Sequence, residues 1–104
     1  MNLPETIRIG PETWEVKIDR NFALDDNGNF GETSGKHRTI SIDVSARLDR
    51  VRITLMHELF HAIENTFIDG KLRLTEPQLK ILAPALTAVF LDNHSLREIF
   101  FPKE

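Results

Sequence analysis

Thr54-Leu55-Met56-His57-Glu58-Leu59-Phe60-His61-Ala62-Ile63 lies within an uninterrupted helical pattern that runs from about Ala46 to Thr66. At about 3.6 residues per turn, positions four apart stand one above the other, so His57 and His61 present their rings on one face. Two neutral imidazole nitrogens about 2 Å from one ion suit zinc. Glu58, one residue round the helix, can reach a water on that ion without ligating it. Leu48, Val51, Leu55, Met56, Leu59, Ala62 and Ile63 recur at three- and four-residue steps and give the same helix a core-facing stripe. Ser45 is its expected N-cap and Asp69-Gly70 its expected stop.

Toward the N-terminus the periodicity changes to two. Ile7 and Ile9, then Trp14, Val16 and Ile18, alternate with polar residues around Gly10-Pro11-Glu12, which predicts a β-hairpin. Asp25-Asp26-Asn27-Gly28-Asn29 reads as a solvated turn, because it lacks the length and terminal Glu of a calcium-binding EF-hand loop. Residues 30–33 and 38–43 form a second expected strand pair, with Ile40 and Ile42 facing the core and His37, Thr39 and Ser41 on the other face.

Toward the C-terminus, Thr75-Glu76-Pro77-Gln78 has the form of a capping box with proline in the first turn. Leu79, Leu82, Ala83, Leu86, Val89 and Phe90 continue it as an apolar stripe, and Pro84 inside the run predicts a kink or two shorter helices. Ser95 with Glu98 is the expected cap of a short terminal helix ending near Phe101. Strands followed by helices predict an α+β fold, a small antiparallel or mixed sheet packed on the helix that carries the two histidines.

The 104 residues, 40% of them apolar, fit a single domain spanning residues 1–104. Thirteen basic against sixteen acidic residues, a net charge of −3, disfavour nucleic-acid or anionic-membrane partners. Cysteine is absent, so thiolate sites and disulfides are excluded and His and carboxylate remain as transition-metal ligands. The N-terminus has no signal-peptide pattern and no apolar run approaches a membrane span, which predicts a soluble cytoplasmic protein.

A catalytic zinc site takes a third protein ligand and leaves the fourth position for water, whose proton Glu58 can accept. A metzincin places a histidine six residues beyond the second ligand, but Phe67 stands there. Glu76 opens the next helix across a glycine-containing connector long enough to turn the chain back, and is the favoured third ligand. Asp69 and Asp92 are the alternatives. Asp92 or Asn93 could also hold a ligand histidine by a hydrogen bond. His37 and His94 are expected to be exposed.

From about Phe30 to Asn93 the chain resembles the minimal gluzincin-like metallopeptidases of phages and prophages, small relatives of the ImmA/IrrE-type enzymes of mobile elements. The resemblance is carried by Gly31-Glu32-Thr33, Ile40-Ser41-Ile42-Asp43, residues 54–63, Thr75-Glu76-Pro77-Gln78-Leu79, Leu82-Ala83 and Leu91-Asp92-Asn93. It implies a zincin-like core, a bacterial host cytoplasm, zinc on His57, His61 and Glu76, and Glu58 as general base. It also implies a protein or peptide substrate paired along an edge strand, for which residues 30–33 or 38–43 are candidates. Two departures stand out: the chain has no tyrosine to steady an oxyanion, and Phe60 takes a position that is often small in related motifs. The competing expectation is a noncatalytic phage accessory or interaction protein in which zinc only ties two helices together. Neither the substrate nor an oligomeric state is specified.

Overall fold

The structure, a computed structural model, describes residues 3–19, 30–67 and 73–103. The elements run β1 (Thr6–Ile9), β2 (Glu12–Asp19), β3 (Gly31–Ser34), β4 (Thr39–Asp43), α1 (Leu48–Phe67), α2 (Glu76–Asp92) and α3 (His94–Phe100). This is a small α+β fold with a mixed sheet in the order β1-β2-β4-β3. The expected solvated turn at 25–29 and the expected helix stop at Asp69-Gly70 lie outside the described residues.

Two hairpins build the sheet. The first turns on Gly10-Pro11, with Ile9 opposite Glu12, so Glu12 begins β2 rather than belonging to the turn. Gly10 has φ +55°, the left-handed conformation that glycine adopts without penalty in a two-residue hairpin turn. The second hairpin pairs Ser34 with Thr39. Its last turn residue, Arg38, has φ +54°, so the strand starts one residue later than the alternation alone predicts. The hairpins join through parallel pairing of β2 with β4, which leaves β4 interior and puts β3 on an edge. Of the two candidate edge segments, the one at 38–43 is therefore excluded.

Alternation places Ile9, Trp14, Ile40 and Ile42 on the inner face, all buried, against Val51 and Ala62 of α1. Each isoleucine withdrawn from water in this way contributes about 2 kcal/mol. Ile18 shares that parity but lies toward the end of β2 and is 58% exposed. At the exit from β4, the buried Asp43 carboxylate accepts hydrogen bonds from the Ser45 amide, at 2.9 Å, and hydroxyl, at 2.6 Å. Ser45 therefore belongs to the turn before α1. The helix begins two residues after Ala46, its first bond running from the Val51 amide to the Arg47 carbonyl.

The apolar stripe expected of α1 is only partly the core face. Leu48 and Ile63 are exposed, whereas Thr54, Glu58 and Glu64 are buried with Val51 and Ala62. On α2 the buried positions are Leu79, Ala83 and Thr87, four apart, while Leu82 and Val89 are exposed. The small Ala83 and Thr87 side chains let α2 lie close to α1. The Thr75 capping box is present, with the Thr75 hydroxyl accepting from the Gln78 amide and the Gln78 side chain accepting from the Thr75 amide. Helix α2 is a single element through Pro84. Pro84 lacks the amide that would bond the carbonyl of Lys80, and the exposure of Lys80 lets water take that place. The cap position of α3 is Asn93 rather than Ser95, and it makes no side-chain capping bond.

Candidate metal centre

Helix α2 lies against α1 so that its first residue meets the middle of the first helix. His57 and His61 point from α1 toward α2, and Glu76 reaches them from the capped start of α2. Glu76 Oε2 is 3.2 Å from His57 Nε2, Glu76 Oε1 is 2.8 Å from His61 Nε2, and the two imidazole nitrogens are 3.2 Å apart. An ion with bonds of about 2.0–2.1 Å and tetrahedral angles holds its ligand atoms about 3.3 Å apart. The separation of the two imidazole nitrogens, and that of each nitrogen from its nearer carboxylate oxygen, therefore have the size of the edges of such a coordination sphere. Two nitrogens and a carboxylate fit a divalent cation, and among the described residues this is the group that can hold one.

The other candidates fall elsewhere. Asp92 ends α2, sixteen residues and about 24 Å along the helix from Glu76. Asp69 is outside the described residues. Asn93 donates to the Val89 carbonyl at 2.8 Å, so its amide is engaged on α2 and not at a histidine. His37 is exposed in the β3–β4 turn, and His94 is exposed on α3 with Glu98 3.0 Å away.

Glu64 occupies the supporting position that Asp92 and Asn93 were expected to fill. It is 3% exposed, and its Oε1 lies 3.4 Å from His61 Nδ1. Its second oxygen accepts from the Leu74 amide at 2.8 Å. A proton on Nδ1 facing this carboxylate leaves the Nε2 lone pair directed toward His57 and Glu76. The same carboxylate anchors the chain two residues before Glu76. The sequence did carry a signal for it: an acidic residue three positions after His61 lies one helical turn along.

Glu58 faces the sheet instead of α2. It is 7% exposed, and its Oε1 accepts a 2.7 Å hydrogen bond from the Thr33 hydroxyl on β3. Burial pushes its carboxyl pKa up, against the opposing pull of the Thr33 hydrogen bond and the two imidazoles, while the Glu76 charge adds to the upward push. Gly31 allows the strand to come this close. A methyl group there would stand 2.7 Å from Thr54 Cγ2 and 3.0 Å from Glu58 Cγ. Neither Thr33 nor Gly31 could be assigned a role from spacing, since each acts across the gap between a strand and a helix.

An open cleft of about 730 Å³ borders the group, lined by Phe30 and Gly31 on the strand side, His57 and Glu58 on α1, and Glu76 and Lys80 on α2. The molecule thus presents a His–His–Glu group capable of holding a metal, beside a buried carboxylate, at the edge of an open groove. Comparison with family models, curated proteins and solved structures finds no match. No helix among the described residues is long and apolar enough to cross a membrane.

Proposed function

We propose that this chain is a zinc-dependent metallopeptidase with a zincin-like arrangement, of the gluzincin-like kind it resembles, acting on a protein or peptide in the cytoplasm of a bacterial host. One observation carries the reading: His57 Nε2 and His61 Nε2 lie 3.2 Å apart, each with one Glu76 carboxylate oxygen at 2.8–3.2 Å, and the buried Glu58 adjoins the same cleft. A closed structural zinc site uses four protein ligands, and only three side chains meet here among the described residues.

Bound zinc supplies Lewis-acid activation of water and of the scissile carbonyl. Glu58 accepts the proton of the attacking water and delivers it to the leaving nitrogen. Thr33 fixes the Glu58 oxygen from one side, and Glu64 fixes the His61 ring from the other. Strand β3, unpaired along its outer edge among the described residues, offers backbone groups to an extended peptide.

The test is metal analysis of protein purified without a histidine tag, followed by hydrolysis of a denatured protein such as casein. The expected result is about one zinc per chain, with cleavage that Glu58→Gln abolishes while zinc content and thermal stability in zinc stay near wild type. Cleavage unchanged by Glu58→Gln would remove the assigned base. Zinc held by a fourth protein ligand, with no hydrolysis, would establish the noncatalytic accessory role instead.

A further inference from the structure

The cleft carries six charged side chains, three of each sign, and their partners decide which remain available to a ligand. Glu76 is committed to the histidine pair, Glu58 is buried against Thr33, and Arg47 faces Asp49 at 3.7 Å. Arg50 and Lys80 remain, and neither forms an ion pair among the described residues. Arg50 is held in place, its guanidinium carbon 5.2 Å from the centre of the Phe30 ring, a cation–π contact at the start of β3. Lys80 stands one turn beyond Glu76 on the same face of α2. In a protein whose net charge is −3, a cationic cleft mouth is a local reversal of sign.

Its position relative to the bond to be cut follows from the direction of β3. Gly31 lies against Thr54 and Glu58, Thr33 against Glu58, and Gly35 against Asn65, so β3 and α1 run the same way. A peptide pairing antiparallel with β3, the more stable pairing, passes Ser34 first and Phe30 last. Its C-terminal part therefore lies toward Arg50. Seven residues of helix separate Arg50 from His57, about 10 Å of rise, and an extended peptide covers that distance in about three residues.

Resting on the metallopeptidase reading above, we propose that Arg50 and Lys80 select substrate segments bearing an acidic side chain at the second to fourth position on the C-terminal side of the cleaved bond. The carboxylate is received by a guanidinium already fixed on Phe30, with the Lys80 ammonium on the opposite wall. The aromatic contact limits the ordering entropy that binding would otherwise cost.

Two arms test this and separate it from the peptidase assignment. The zinc-loaded protein is incubated with a random dodecapeptide mixture, and cut sites are read by mass spectrometry. Asp and Glu at those positions should exceed Lys and Arg by about fivefold, and Arg50→Glu should reverse the preference. Cleavage without acidic enrichment, or with enrichment that survives both Arg50→Glu and Lys80→Glu, overturns the proposal and leaves the peptidase reading intact. In the second arm, fluorescein-labelled Glu-Ala and Lys-Ala repeat peptides are bound to zinc-loaded Glu58→Gln protein. The acidic peptide should bind about fivefold tighter or better at low salt, with the margin shrinking in added salt and in Arg50→Glu. Equal binding, or none, overturns the proposal whatever the first arm gives. Acidic preference in binding with no cleavage by the wild type refutes the peptidase reading, and with it the position relative to a cleaved bond, and leaves only the recognition of acidic segments by Arg50 and Lys80. Zinc content of each variant, expected to match wild type, reports that the fold is intact.

Discussion

Thr33, Glu58 and Glu64 set the surroundings of the two histidines, although none of them belongs to the His57–His61–Glu76 group. The Thr33 hydroxyl stabilises the charged form of Glu58, so Thr33→Val, which keeps the shape and removes the donor, should push the Glu58 pKa up further. The acid limb of the pH profile of kcat/KM should then move to higher pH, whereas a merely structural loss would scale the whole profile down. In metal-free protein the same carboxylate has a stability signature. Its folded-state pKa is raised, so its favourable contribution is complete below the unfolded value and is lost as pH rises through the folded value. Glu58→Gln cannot ionise. In chelator it should melt above wild type at neutral pH, with the difference vanishing in acid. Glu64→Ala should lower zinc affinity by roughly tenfold to a hundredfold, measured by competition with a chromogenic chelator, because it releases both the His61 ring and the Leu74 amide. Glu64→Gln should retain part of that affinity through an amide oxygen facing either partner.

Elements bring these residues together, and their contacts are the least forgiving part of the design. Gly31→Ala places a methyl group against Thr54, Glu58 and the Ser41 carbonyl at 2.7–3.1 Å, and backbone and core must both yield. A loss of about 1–3 kcal/mol in urea unfolding is expected, with a larger proportional loss of hydrolysis, because Glu58 is one of the groups displaced. Local chemistry is what the sequence displays most clearly. The hairpins, the helix carrying both histidines and the Thr75 capping box could all be read from residues within about one turn of each other. Glu76 was legible too, since the capping box fixes it in the first turn of α2. Choices made by tertiary packing stayed hidden. The burial of Thr87 in place of Leu82 or Val89, and the identity of the edge strand, depend on partners distant in the chain. Ser45 misleads for a related reason: it is a good capping residue, but the buried Asp43 engages it first.

At the scale of the whole molecule, a metal held by His57, His61 and Glu76 would clamp α1 to α2. Helix α2 meets α1 through a narrow face of Leu79, Ala83 and Thr87, and exposes Ile81, Val89 and Leu91. Coordination by His57 and His61 on one helix and Glu76 on the other would add a tie where apolar contact is thin. Stripping zinc should therefore lower the melting temperature, and zinc at a hundred times its dissociation constant should restore about 2.7 kcal/mol. Hydrogen exchange should show the loss concentrated in α2 and α3, with the sheet amides least affected. The parallel seam has a different consequence. Glu15 meets Thr39 and Asp19 meets Asp43, each pair 24 residues apart (39 − 15 and 43 − 19), whereas the neighbouring strand pairs close over short turns. Each ribbon can zip by itself, so uniting them is the slow topological event of folding. Until it happens, the backbones of β2 and β4 lie bare, and the nascent chain is most prone to pair with its neighbours instead of with itself.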